Sequence, residues 1–163
     1  MLVVDHVSRG DAVHGRLRQQ LVHAAGRLLA GVVISGKTSP IEVCDLLTAQ
    51  RQLVHVKRKF SSATLSHLFS QGETSGVLLV DSSSFRAALR KKIQNDPAQF
   101  TQLFTDAAFR AGDFEIVYAI VGEWQGVGLA DRLPFFSKVN LLRRARQLRR
   151  TGFRVTYAAI GVS

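Results

Sequence analysis

The chain has little of three things, and each shortage excludes something. It holds one cysteine in 163 residues, Cys44, so no internal disulfide can form. A lone thiol between Val43 and Asp45 in an apolar run reads as a small buried residue of a protein kept in a reducing compartment. Long apolar runs are also missing: Leu28–Ile34 and Gly76–Val80 fall far short of the roughly 20 residues that span a bilayer. The first residues carry Asp5, His6, Arg9 and Asp11 and no cationic segment followed by an apolar block, so no secretory signal is expected. A cytoplasmic, bacterial-type protein without a membrane partner follows from these absences. Acidic residues are the third shortage. Twelve Asp and Glu stand against 22 Lys and Arg, a formal charge of +10, which favours a polyanionic partner such as nucleic acid.

What remains is ordinary for a globular protein: 46% hydrophobic and 21% charged residues, in a chain long enough for one domain and too short for two comfortable ones. Residues 1–39 are expected to form a poorly defined helical N-terminal segment, open to being a truncated one, and 40–163 an α/β domain. Ala12–Ala30 places Leu17, Leu21 and Leu28 on one helical face, although Gly15 and Gly26 weaken such a helix. Val32–Ile34 suggests a short strand. Gly31-Val-Val-Ile-Ser-Gly36-Lys-Thr38 satisfies the spacing of a phosphate-binding loop, but Val32-Val33-Ile34 occupy its flexible part, and Pro40 and another strand follow where a helix should open.

From Pro40 onward the pattern sharpens. Ile41–Leu47 and Leu53–Lys59 read as strands joined by the polar Thr48–Gln52 segment. Ser61 or Ser62 can cap a helix with Leu65, Leu68 and Phe69 facing inward, with Gly72 as its stop and a further helical region at Thr74–Val80. Ser82–Ser84 cap Phe85–Gln94, which presents Arg86, Arg90, Lys91 and Lys92 outward. Asp96-Pro97 reads as the cap and first turn of a helix over Ala98–Ala108. Phe114–Val121 is apolar throughout, as a strand buried on both faces should be. A glycine-rich loop, Glu123–Arg132, leads to a helix over Phe135–Arg150, stopped by Gly152, and a last strand over Phe153–Val162. The sum is an α/β fold: a mixed sheet of about five strands flanked by helices, with a parallel crossover into the last strand.

Two of the strands carry polar residues that a buried strand should not want. They are Asp45 in the first, and His55 with Lys57 two positions later on the same face of the second. A carboxylate and a lysine on neighbouring strands can grip a metal and a phosphate. Glu42 is the other nearby carboxylate, but strict alternation puts it on the face opposite Asp45 unless a bulge intervenes. Further along, Leu141, Leu142, Ala145 and Leu148 form the expected buried stripe of the last helix. That leaves Lys138, Arg143, Arg146 and Arg150 for phosphates, together with Arg58 and Lys59 on the second strand. Trp124 is a candidate for base stacking or for packing against the domain. Each site residue has a plain structural reading too: Asp45 as a turn carboxylate, His55 as a hydrogen-bonded histidine partly in the core, Lys57 as part of a solvated basic edge. His6, His14 and His23 show no metal-ligand spacing.

The order helix, three strands, helix, strand, with Asp45 some ten residues before His55-Val56-Lys57, resembles the restriction-endonuclease-like nuclease core. That resemblance implies a metal-dependent, nuclease-like domain over 40–163. Asp45 would hold Mg²⁺ or Mn²⁺, with His55 standing where an acidic or amide residue usually sits and favouring the softer ion. Lys57 would orient the attacking water or stabilise phosphate charge, and Gln71 would occupy a position where some members carry a glutamine. The first helix offers no glutamate, so an inactive relative or a fragment lacking part of its site fits as well. The words His55-Val-Lys-Arg, Ser61-Ser-Ala-Thr-Leu-Ser-His-Leu-Phe-Ser-Gln-Gly72, Phe85-Arg86 and Pro134-Phe-Phe-Ser-Lys-Val-Asn-Leu141 resemble the C-terminal part of a bacterial "sporadically distributed protein" family, a domain of unknown function. That similarity implies a longer parent protein whose N-terminal portion is a potential partner, and it carries no activity. The functional expectation is a nuclease-like domain acting on DNA, active or degenerate. The alternative is a non-catalytic nucleic-acid-binding or assembly module of a mobile-element or defence-type protein.

Overall fold

The computed structural model describes residues 28–35, 40–58, 61–124 and 129–161. Its strands are β1 (Leu28–Ser35), β2 (Pro40–Thr48), β3 (Gln52–Arg58), β4 (Glu115–Gly122) and β5 (Arg154–Gly161). β2 to β5 form a four-strand mixed sheet in that spatial order, and β1 runs antiparallel along the outer edge of β2. β2 and β3 are antiparallel, whereas β3, β4 and β5 are parallel. The α/β class and the helix-flanked mixed sheet therefore match the sequence reading. The expected helix over Ala12–Ala30 lies outside the described residues as far as residue 27, and residues 28–30 belong to β1 instead. Gly31–Ser35 of the phosphate-loop pattern are also strand, and positions 36–38 lie outside the described residues.

Parallel neighbours need a crossover, and each one here carries helices. Between β3 and β4 come α1 (Ser62–Asp81), α2 (Ser83–Lys92) and α3 (Ala98–Gln102); between β4 and β5 come α4 (Leu129–Arg132) and α5 (Phe135–Arg150). Successive crossovers of the usual right hand put their helices on one face of the sheet, and α1 packs against α5 there. The core between them joins Leu47, Leu53, Ile116 and Ile120 of the sheet to Leu65, Phe69 and Leu79 of α1 and Leu141 and Leu148 of α5. The alternate side chains Leu46, Val54, Val56, Ala119 and Val121 are buried as well. A strand enclosed on both faces explains why β4 shows no alternation.

Three local expectations are corrected. Gly72 does not stop a helix, because α1 runs through it as a single element of 20 residues. A Cβ at Gly72 would lie 2.6 Å from the Tyr118 ring and hydroxyl, and one at Gly76 would lie 2.5 Å from Leu148 Cδ2. These glycines let α1 approach β4 and α5 closely, at a helix-propensity cost of about 1 kcal/mol each. Tyr118 seals the contact by donating its hydroxyl to the Phe69 carbonyl at 3.0 Å. The helix expected over Ala98–Ala108 ends at Gln102. Thr101 and Thr105 hydroxyls donate to the Ala98 and Gln102 carbonyls, and Ala108 N donates back to Thr105 Oγ1, so side chains compete for the groups a helix would use. Its N-cap is Pro97, with no side-chain capping bond. On α2, Arg86 and Arg90 do not point freely outward. Arg86 donates to the Leu79 and Val80 carbonyls and to Asp106 while lying over the Phe109 ring, and Arg90 donates to the Phe104 carbonyl.

Other boundaries fall where the sequence places them. Ser61 Oγ accepts from Thr64 N at the start of α1, Ser82 Oγ accepts from Phe85 N at the start of α2, and Gly152, at φ +103°, follows the end of α5.

Candidate functional site

The site begins with a break in the alternation of β2. Across the β1–β2 ladder Val32 faces Cys44 and Val33 faces Glu42, so Val43 has no partner. A bulge of this kind adds a residue to one strand and shifts the phase of its side chains. Val43 and Cys44 are consequently both buried in the core cluster, and burial pushes the Cys44 thiol pKa far up. The acidic residues flanking them, Glu42 and Asp45, are brought to one side, where their carboxyl groups share a hydrogen bond.

Two further residues complete the cluster. Asp45 Oδ2 accepts from Val56 N at 2.7 Å, beyond the Leu46–Val54 pair at which the regular β2–β3 register ends; the carboxylate takes over a strand amide as acceptor. Gln71 Nε2, from α1, donates to Glu42 Oε2 at 2.6 Å. Lys57 lies close enough for its charge to act on Glu42. All four side chains are half-buried. Burial raises the Glu42 pKa first, the charge of Asp45 and the bond to it raise it further, and Lys57 and the Gln71 amide oppose the shift.

Of the expected residues, Asp45, Lys57 and Gln71 thus converge. His55 does not join them. It is 1% exposed, its ring centre lies 6.0 Å from that of Tyr118, and neither ring nitrogen has a hydrogen-bond partner among the described residues. Burial lowers its pKa to about 4, leaving a neutral core side chain at pH 7, not the hydrogen-bonded one the sequence suggested. Glu42 stands in its place. The signal in the sequence was the pair of consecutive apolar residues between two acids, Glu42-Val-Cys-Asp45, a phase error that only a bulge can reconcile with a buried strand.

An oxygen-rich pair of carboxylates suits Mg²⁺ or Mn²⁺ better than a softer metal. Among the described residues no group of three or more His, Cys, Asp or Glu side chains is arranged to hold a metal. A cation here would draw on Glu42 and Asp45 and complete its shell with water and substrate phosphate, the usual economy of Mg²⁺ sites.

The basic residues are spread more widely. Arg58 ends β3 and is half-buried; Lys59 lies outside the described residues. Lys138 is half-buried on α5, whereas Arg143, Arg146 and Arg150 are exposed on its outer side. Arg144, between them, pairs with Glu73 of α1. Trp124 packs: it is 9% exposed and donates Nε1 to the Ile160 carbonyl at 2.9 Å. Among the described residues no helix is long and apolar enough to cross a membrane.

Residues 28–161 match DUF6119, described as a family of unknown function. The match takes in β1 through β5, so it begins ahead of the domain boundary expected at residue 40. No curated protein and no solved structure matches the chain.

Proposed function

The chain belongs to DUF6119, a family of unknown function, and from that premise, which brings no activity with it, we propose that it is a metal-dependent phosphodiesterase-type domain acting on DNA. What supports the reading is one observation: the bulge in β2 gathers Glu42 and Asp45 beside Lys57 and Gln71. In this reading Glu42 and Asp45 hold Mg²⁺ or Mn²⁺. The bound cation would neutralise charge on the phosphate and lower the pKa of a bound water. Lys57 stabilises negative charge as it develops on a non-bridging phosphate oxygen. Gln71 keeps the Glu42 carboxylate oriented, and Asp45 is fixed by the Val56 amide. The restriction-endonuclease-like core and a cytoplasmic, defence-type setting belong to the same proposal.

The second reading is a non-catalytic nucleic-acid-binding or assembly module of a longer parent protein whose N-terminal portion is its partner. The observation favouring it is that Arg143, Arg146 and Arg150 stand exposed on one helix, where a phosphate backbone needs no cation site.

Plasmid and single-stranded DNA incubated with Mg²⁺ or Mn²⁺ at low salt separate the two. Cleavage that disappears in Asp45→Asn, Glu42→Gln and Lys57→Ala, in each case by at least about a hundredfold, supports the phosphodiesterase. Salt-sensitive binding without cleavage supports the module. Cleavage that survives all three substitutions removes the site.

A further inference from the structure

We propose that the outer face of α5 is a track for single-stranded nucleic acid, with Phe135 and Phe136 stacking on unpaired bases and Arg143, Arg146 and Arg150 taking phosphates. The inference rests on the reading of nucleic acid as partner and is independent of cleavage.

Helix α5 has two apolar faces. Ser137, Leu141, Ala145 and Leu148 are buried against the domain, as an amphipathic helix requires. Phe135 and Phe136 are each 71% exposed, and Val139 and Leu142 join them at 46% and 54%. A contiguous exposed apolar patch marks a surface that meets something else. The two phenyl rings stand edge to face with centres 5.6 Å apart, displayed to solvent and not sunk in a pocket. Beside them, between α1 and α5, runs a groove of about 670 Å³ lined by Val77, Val139, Leu142, Arg143, Arg146 and Arg150.

Charge decides the class of occupant. Arg144 in the same stretch is neutralised by Glu73, but Arg143, Arg146 and Arg150 make no hydrogen bond or ion pair with any described residue. Three uncompensated guanidinium groups on a chain of charge +10 call for a polyanion. The aromatic pair narrows the choice. A duplex offers phosphates but hides its base faces, whereas an unpaired strand offers both, and aromatic platforms beside a cationic groove are the recurrent way of holding one. Phe136 to Arg150 covers about 21 Å of helix, aromatic groups first and cationic groups after, the arrangement of a strand laid along the axis.

The test is fluorescence anisotropy on the full chain, without divalent cation so that no cleavage can occur, using (dT)12 and a 12-base-pair duplex. Phe135→Ala with Phe136→Ala is expected to weaken (dT)12 binding about tenfold or more. The salt slope should stay unchanged and duplex binding should hold within about twofold. Phe135→Trp with Phe136→Trp should restore (dT)12 binding. Arg143→Gln, Arg146→Gln and Arg150→Gln together should lower the slope of log K against log salt by about 2 on the single strand. Both phenylalanines are exposed, so a thermal melt matching the wild type is the expected control. The proposal is overturned if the Phe→Ala pair binds (dT)12 like the wild type, or loses single strand and duplex equally. Unchanged (dT)12 binding with an acidic amphipathic peptide captured on this face would overturn it as well. No cleavage by the wild type, or cleavage that survives Glu42→Gln, with this binding pattern intact would sink the phosphodiesterase and leave the track standing.

Discussion

At the scale of single residues, His55 and Glu42 are the side chains that exchanged places. Reading β2 and β3 as regular strands puts His55 with Asp45 and Lys57 and sends Glu42 to the far face; one bulged residue, Val43, brings Glu42 round to Asp45, while His55 is withdrawn separately, by burial beside Tyr118. Asp45 and Lys57 stood out because a polar group in an apolar strand needs a reason to be there, whereas Gln71, on a helix, was singled out only through the resemblance to the nuclease core. The burial of His55 was not, since its depth is set by Tyr118 from β4, far along the chain. That burial has a measurable consequence. Unfolded, the imidazole takes a proton near pH 6.5; folded, it resists until about 4. Above pH 6.5 the imidazole is neutral in both states and adds no pH dependence; as pH falls from 6.5 toward 4 the unfolded chain takes the proton first and stability drops, with a slope of up to about 1.4 kcal/mol per pH unit for one proton. Urea denaturation of the wild type and His55→Leu between pH 7 and pH 4 should show that slope in the wild type alone. At pH 7 the variant should be no less stable, because it removes two buried unpaired nitrogens whose desolvation is costly. Parallel pH profiles would contradict the account.

At the scale of elements, capping was readable and close approach was not. Ser61, Ser82 and Gly152 mark boundaries by local chemistry that any sequence displays. Gly72 looks like one more stop, and only the ring of Tyr118 pressing on α1 reveals it as a contact. The short α3 has a similar lesson, because Thr101 and Thr105 turn the chain where an apolar stripe promised more helix. Gly72→Ala would gain helix propensity of up to about 1 kcal/mol, yet it places a methyl group 2.6 Å from Tyr118, an overpacking cost of about 1–3 kcal/mol. Net destabilisation, seen as a lowered melting temperature, is the expected result. A melting temperature equal to or above that of the wild type would mean that α1 and β4 are not held so close.

At the scale of the molecule, the parallel strands and their crossovers place α1 and α5 side by side, and the two candidate surfaces lie on different flanks of that pair. The carboxylate cluster sits where β2, β3 and α1 meet; the aromatic and arginine face lies on the outside of α5. The class of fold was visible in the alternation of strands and helices, and the positive charge of the surface in the excess of arginine. Their relative placement depends on the packing of α1 on α5, which no local pattern encodes. The central claim is that the bulge makes a cation-binding pair out of Glu42 and Asp45. Its most direct test is calorimetric titration of Mn²⁺ into the full chain at pH 7 and into Glu42→Gln and Asp45→Asn. One site is expected in the wild type, abolished by either substitution, with affinity that falls as pH drops and Glu42, whose pKa is raised, takes up its proton. No binding in the wild type, or binding indifferent to both substitutions, would contradict that claim.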